Sequence, residues 1–206
     1  MNENNLEKIF DFLKIIENLK STLRYNKTTS GRQESSAEHT WRLALMVFLM
    51  AEELKLDVDA ARSVKIALVH DIAEAITGDI DAVLIAEGKF SKEEKDKNEI
   101  EAIARMQALL PENPGNEIAG LWNEYNDGKT KEAKFVKAMD KIETHTQLVE
   151  SGYKTYDKPE YIANYANKAV KQFPELLPML KILKKKFKAE FAKGNIEWKK
   201  DYDSLD

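Results

Sequence analysis

Cysteine is absent from the 206 residues, which excludes disulfides, Cys-ligated zinc, iron–sulfur clusters and thiol nucleophiles. Histidine is nearly as scarce, at three, so metal or acid–base chemistry has few places to sit. Long apolar runs are missing as well. The longest, Leu43 to Ala51, lies between Arg42 and Glu52 and falls far short of the roughly 20 residues that cross a bilayer as a helix. The segment Met1 to Lys8 lacks a basic stretch followed by an apolar core, so no secretory signal and no membrane partner are expected, and a cytoplasmic location is. Positive charge is not in excess: 36 acids against 32 bases leave a net charge of −4, a poor balance for gripping nucleic-acid polymers. No linker rich in Pro, Gly or Ser divides the chain and no repeat is apparent. One domain over 1–206 is expected.

What is present reads as helix from end to end, with no convincing alternation of the strand type. Ile9, Phe12, Leu13, Ile16 and Leu19 form a stripe on a first helix over about 3–20. Ser35-Ser-Ala-Glu38 has the capping-box pattern and predicts a second helix to about Lys55. A third is expected from near Asp59 to Thr77-Gly78, and Ser91-Lys-Glu-Glu94 predicts another capping box before a helix that stops at Pro111. A shorter helix from Pro114 ends at Asn126-Asp127-Gly128, and Thr130 caps a long one carrying Phe135, Val136, Met139, Ile142 and Leu148. Helices over about 159–171 and 174–192 pack on a core spanning about 15–152, giving an all-α bundle of about eight helices. Lys184, Lys185, Lys186 and Lys188 read as a solvated helix face, and Trp41, Trp122 and Trp198 as core or interface anchors.

The chemistry-bearing residues are few enough to weigh together. His39 follows the capping Glu38, His70-Asp71 follows the mostly apolar run Val64 to Val69, and Asp140 lies between Met139 and Ile142. A carboxylate carried into an interior needs a partner or a metal. Two imidazoles and two carboxylates from separate helices suit a divalent cation with positions left for water and substrate, an arrangement for metal-assisted hydrolysis.

The order His39, His70-Asp71, Asp140 resembles the signature of the HD superfamily of metal-dependent phosphohydrolases. The neighbours narrow it. Arg32-Gln-Glu-Ser-Ser-Ala-Glu-His39 and His70-Asp-Ile-Ala-Glu-Ala-Ile-Thr-Gly-Asp79 resemble the 5′-deoxynucleotidase branch. Leu109-Leu-Pro-Glu112, Leu121-Trp-Asn-Glu-Tyr125 and the segment Glu132 to Asp140 are similar to its eukaryotic and archaeal HD-domain proteins. The likeness covers about residues 15–152.

That resemblance implies that His39, His70, Asp71 and Asp140 ligate one divalent ion per chain, open between Mn, Co, Fe, Ni, Zn and Mg. It implies that Glu74 and Asp79 serve catalysis, with their roles undivided, and that Arg24, fifteen residues before His39, contacts phosphate. Tyr25 stands where the bacterial members have tryptophan, and Ile80-Asp81-Ala82 where they have prolines. Arg32 either contacts substrate or orients its loop through Glu34 or Glu38. His145, about 140° around the helix from Asp140, is read as a supporting or surface histidine, and Glu143 as an ordinary ion-pair residue. The implied activity is hydrolysis of deoxyribonucleoside 5′-monophosphates by a homodimer, whose surface is expected among the apolar faces of 150–192. The alternatives are a phosphodiesterase, a nucleoside-triphosphate or alarmone hydrolase, and a nucleotide-binding module without catalysis.

Overall fold

Ser35 sets the geometry of the helix that carries the first histidine. Its hydroxyl accepts the N–H of Glu38, and the Glu38 carboxylate accepts the N–H of Ser35, closing the capping box of α2 (Ser36–Glu53). A computed structural model describes residues 2–80, 84–85 and 87–204. In it α1 (Glu3–Ile16) runs into a 3-10 turn over Glu17–Lys20. Phe12 and Leu19 of the expected stripe are buried there, whereas Leu13 is exposed.

Between α1 and α2 lies an element that the periodicity did not predict. Strands β1 (Leu23–Lys27) and β2 (Gln33–Ser35) pair antiparallel, with Leu23 opposite Ser35 and Lys27 opposite Gln33. Strands of five and three residues are too short to show alternation. This ribbon takes support from elsewhere: Gln147 Nε2 donates to Lys27 O at 2.7 Å, and Asn26 Nδ2 to Thr144 O at 3.4 Å.

Asp59 caps α3 (Ala60–Val69) by accepting the Arg62 N–H. The helix does not continue unbroken to Thr77 as expected. His70 Nδ1 donates to Ala67 O at 2.8 Å, the carbonyl that the Asp71 N–H would take in a continuing α-helix. The following bonds tighten to i→i+3, Ile72 N–H to Val69 O and Glu74 N–H to Asp71 O. A single turn, α4 (Glu74–Thr77), then ends at Gly78, whose φ of 75° suits glycine. Asp81 and Ala82, where the chain departs from the bacterial pattern, lie outside the described residues.

Five longer helices and one single turn complete the frame among the described residues: α5 (Lys92–Leu109), α6 (Glu112–Asp127), α7 (Lys131–Ser151), α8 (Pro159–Ile162), α9 (Asn167–Gln172) and α10 (Leu177–Lys193), of which α8 is the single turn and α9 the shortest of the longer set. Among the described residues, eight α-helices have six residues or more. At α5 the Ser91 hydroxyl accepts the Glu94 N–H but gives its proton to Glu93, so only half of the expected box forms. Gly128, left-handed at φ 61°, stops α6, and Thr130 caps α7. The helix expected over 159–171 is divided into α8 and α9, and α10 starts after a 3-10 turn at Pro174–Leu176.

α7 is the axis of the core. Phe135, Val136, Met139 and Ile142 are fully buried and share one cluster with Leu43 and Val47 of α2, Ile66 of α3, and Leu180 of α10. Each such side chain contributes roughly 1.5–3 kcal/mol by leaving water, so Asp140 rides on the most firmly held element. Lys184 corrects the solvated-face expectation: it is buried, and its Nζ donates to Tyr202 O at 2.8 Å and Ser204 O at 2.6 Å. Trp122 is buried, and Trp198 packs edge-on against Phe191 at 5.2 Å. Trp41 is 66% exposed, in line with Leu45, Phe48 and Leu49 on the outer face of α2. No described helix is long and apolar enough to cross a membrane.

Candidate metal and phosphate site

Two imidazoles meet where the start of α2 approaches the end of α3, each pinned from behind. His39, in the first turns of α2, points Nδ1 at the Glu143 carboxylate. His70, at the end of α3, gives Nδ1–H to Ala67 O. Both contacts leave Nε2 as the free nitrogen. His39 Nε2 lies 3.2 Å from Asp140 Oδ1 and His70 Nε2 lies 2.9 Å from Asp71 Oδ2, yet among the described residues neither nitrogen finds a hydrogen bond. Ligand atoms of His39, His70 and Asp71 fall within 4.8 Å of one another. Buried nitrogens without partners are costly, and two of them facing carboxylates are accounted for by a cation. The donor set therefore fits a divalent ion.

Carboxylates around this point are kept ionised by specific neighbours. Burial pushes Asp140 up, but Lys141, at 2.9 Å from Oδ2, and His39 outweigh it and hold it well below the usual carboxylate range. The Tyr125 hydroxyl also donates to Asp140 Oδ2 at 2.8 Å. Asp71 is likewise lowered against its burial by His70 and by Arg24, whose Nη1 donates to Oδ2 at 2.9 Å. His39 is raised to about 9: burial and Arg24 oppose its charge, and Glu143 and Asp140 win.

Glu74 behaves differently. It is buried at the start of α4 and receives the Ser36 hydroxyl at 2.7 Å. Burial, then Asp71 and Asp79, push its carboxyl well above the ordinary value. Asp79 follows Gly78 and lines the same cleft of about 460 Å³, which Arg24, His70, Asp71 and Asp140 also line. That volume lies within the roughly 300–1,000 Å³ of small-molecule sites. Arg24 comes from β1, so the ribbon missed at the sequence level is what delivers a guanidinium to the cleft. Tyr25 also lines it, with its hydroxyl accepting the Lys158 N–H at 3.2 Å.

Arg32 is not brought in. It lies exposed and pairs with Glu38, donating from Nη1 at 2.9 Å, so of its two expected uses the geometry shows the loop-orienting one. His145 is a core residue rather than a surface one, giving Nε2–H to Ile162 O at 2.9 Å against the ring of Phe187. Glu143 departs furthest from its reading. It holds His39 and accepts from Arg42 Nε at 2.6 Å, which makes it the support of His39 in the candidate site. Glu34, buried beside this pair, is pushed up to about 7 by burial and by Glu143. A faint signal existed: Glu143 and Arg42 each stand three residues after a site residue, on neighbouring helix positions.

The profile of a family described as HD domain matches residues 16–181. The 5′-deoxynucleotidase HDDC2 of Xenopus laevis is 34% identical over 181 residues, 84% of this chain and 85% of that protein. The human 5′-deoxynucleotidase HDDC2 is 33% identical over 84% of this chain and 82% of its own. The 5′-deoxynucleotidase hdd1 of Schizosaccharomyces pombe is 37% identical over 73% and 75%. A crystal structure described as a predicted metal-dependent phosphohydrolase, from Magnetospirillum magnetotacticum MS-1, superposes with a TM-score of 0.77 at 27% identity, over 95% of this chain and 97% of that one.

Proposed function

The chain belongs to the HD domain family, and from that premise we propose that it is a metal-dependent phosphomonoesterase converting deoxyribonucleoside 5′-monophosphates to deoxynucleoside and phosphate. The observation that carries this reading is that two Nε2 atoms, neither with a hydrogen bond among the described residues, face Asp140 and Asp71 beside a cleft that also holds Arg24 and Glu74.

One divalent ion, held by His39, His70, Asp71 and Asp140, would supply Lewis-acid polarisation of the phosphoryl group and a water of lowered pKa. The chain's own groups do the rest. Arg24 has a planar guanidinium whose Nε has no partner among the described residues, and it offers paired N–H donors to phosphate oxygens. Glu74, its carboxyl raised by burial and by Asp71 and Asp79 and one oxygen fixed by the Ser36 hydroxyl, suits proton transfer, and Asp79 shares that work. Tyr25, through its ring, lines the wall against which sugar or base would lie. Phosphate release assayed with Mn, Co, Fe, Ni, Zn and Mg in turn identifies the ion, and a panel of mono-, di- and triphosphates sets the substrate class.

Cytoplasmic location and pairing of two copies belong to the same proposal. The exposed stripe of α2, rather than the helices of 150–192, is the surface that supports pairing. The deciding experiment is Glu74→Ala. Phosphate release should vanish while the purified protein keeps its metal content; undiminished release refutes the mechanism.

A further inference from the structure

The segment Leu121-Trp-Asn-Glu-Tyr125 lies in the last turns of α6, and its apolar side chains grip two different parts of the molecule. Leu121 is buried in the cluster built on α7, whereas Trp122 is buried in a second cluster with Phe12 and Met106. α6 is thereby held from two sides. Tyr125, one turn beyond Leu121, packs its ring into the α7 cluster and reaches Asp140 with its hydroxyl.

That hydroxyl, at 2.8 Å, and the Lys141 ammonium, at 2.9 Å, both meet Asp140 Oδ2. An ionised carboxylate only accepts, and each of its oxygens has about two lone-pair sites, so Oδ2 is filled by these donors. Oδ1 is left, and it is the oxygen that faces His39 Nε2 at 3.2 Å. The same phenol ring stands edge-on to the His70 imidazole, with 5.2 Å between centroids and 67° between planes. Lys137 Nζ lies over the phenol at 4.2 Å from its centroid, a cation–π contact that restrains the ring. One side chain of α6 therefore touches candidate metal ligands on two other elements, His70 at the end of α3 and Asp140 on α7.

We propose that Tyr125 is a positioning residue for the divalent ion: its hydroxyl turns Asp140 so that Oδ1 faces the metal, and its ring braces His70. The proposal rests on the metal-dependent reading of the cleft. Hydroxyl and ring do separable work. Without the hydroxyl, Oδ2 keeps Lys141 alone and the carboxylate is free to turn; without the ring, the His70 imidazole loses its lateral wall.

Metal-free full-length chain is titrated with Co²⁺ against a chromophoric chelator, for wild type, Tyr125→Phe and Tyr125→Leu. Phe loses the hydroxyl and keeps the ring; Leu loses both. Affinity should fall about tenfold or more in Tyr125→Phe, the usual effect of losing a group that orients a ligand, and further in Tyr125→Leu. The visible absorption of Co²⁺-loaded Tyr125→Phe should also shift from that of wild type, because it reports the arrangement of atoms around the ion rather than packing elsewhere. With saturating metal, kcat for a deoxyribonucleoside 5′-monophosphate should fall in Tyr125→Phe while KM stays unchanged. Should Tyr125→Leu fail to fold, Tyr125→Phe, which keeps the ring, carries the test. Wild-type affinity and an unshifted spectrum in Tyr125→Phe overturn the proposal, and so does a rise in KM with kcat unchanged, which would make Tyr125 a substrate contact. If wild type binds Co²⁺ but releases no phosphate, the hydrolytic reading fails and the affinity and the spectrum still decide this one; if wild type binds no divalent ion, both fall.

Discussion

Glu143 does not line the cleft, yet it decides which nitrogen His39 presents there. Removing it in Glu143→Ala should weaken metal affinity by about 10–100-fold, the usual effect of losing an outer-shell partner. Competition against a chromophoric chelator measures this directly, and affinity equal to wild type would show that the orientation of His39 is set by packing alone. Arg24→Lys should lower kcat/KM by about tenfold or more, because an ammonium cannot reproduce the paired donors of a guanidinium. That His39, His70, Asp71 and Asp140 come together was legible in the sequence because imidazole is rare there and an adjacent His-Asp stands out. Glu143 was not, since it is one acid among 36 and its partner lies 104 residues away in sequence. Arg32 was ambiguous for the opposite reason: it is conspicuous in sequence, but Glu38 answers its charge locally.

Caps were the readable part of the elements. Side chains at Ser35, Asp59, Ser91 and Thr130 each accept a backbone N–H at a helix start, a local event that needs only neighbours in sequence. The β1–β2 ribbon and the tightened turn after Val69 depend on distant or side-chain bonds, from Gln147 and from His70 itself, and periodicity does not register either. Ser35→Ala should destabilise the protein by about 1 kcal/mol. For a chain of this length that is about 2–4 °C in Tm, read by calorimetry. Because His39 sits one turn inside the same helix, metal affinity should fall in that variant too, whereas Ser91→Ala, at the cap of a helix that carries none of the four proposed metal ligands, should lower Tm alone.

The molecule as a whole carries a buried base that must stay neutral. His145 is fully buried against Phe187 and lowered to about 4 by that burial, against an ordinary value of 6.5. Its folded pKa lies below its unfolded one, so its contribution is present above about 6.5 and is lost as pH falls toward 4. The loss amounts to about 3 kcal/mol at most. Glu34, raised to about 7, acts in the opposite sense between 4.5 and 7, losing stability as pH rises. The measurement is therefore a difference: urea unfolding at pH 7 and pH 4.5 for wild type and His145→Gln, in which the variant's stability should change less with acidification. An equal change in both would assign the acid sensitivity elsewhere. Pairing of two copies is tested at this scale as well. Sedimentation should give a dimer for wild type and a monomer for Phe48→Asp, which places a charge in the middle of the exposed α2 stripe.

The buried Lys184 holds the backbone carbonyls of Tyr202 and Ser204, which are outside any long helix. To a protease cutting near Lys199, the turn over Lys200–Asp203 is a plug rather than a loose strand. Removing residues 200–204 would leave the Lys184 ammonium with Asn164 Oδ1 as its remaining described acceptor. The Lys200–Asp203 turn is thus part of the seal on the helical body, and its loss should be felt as unfolding.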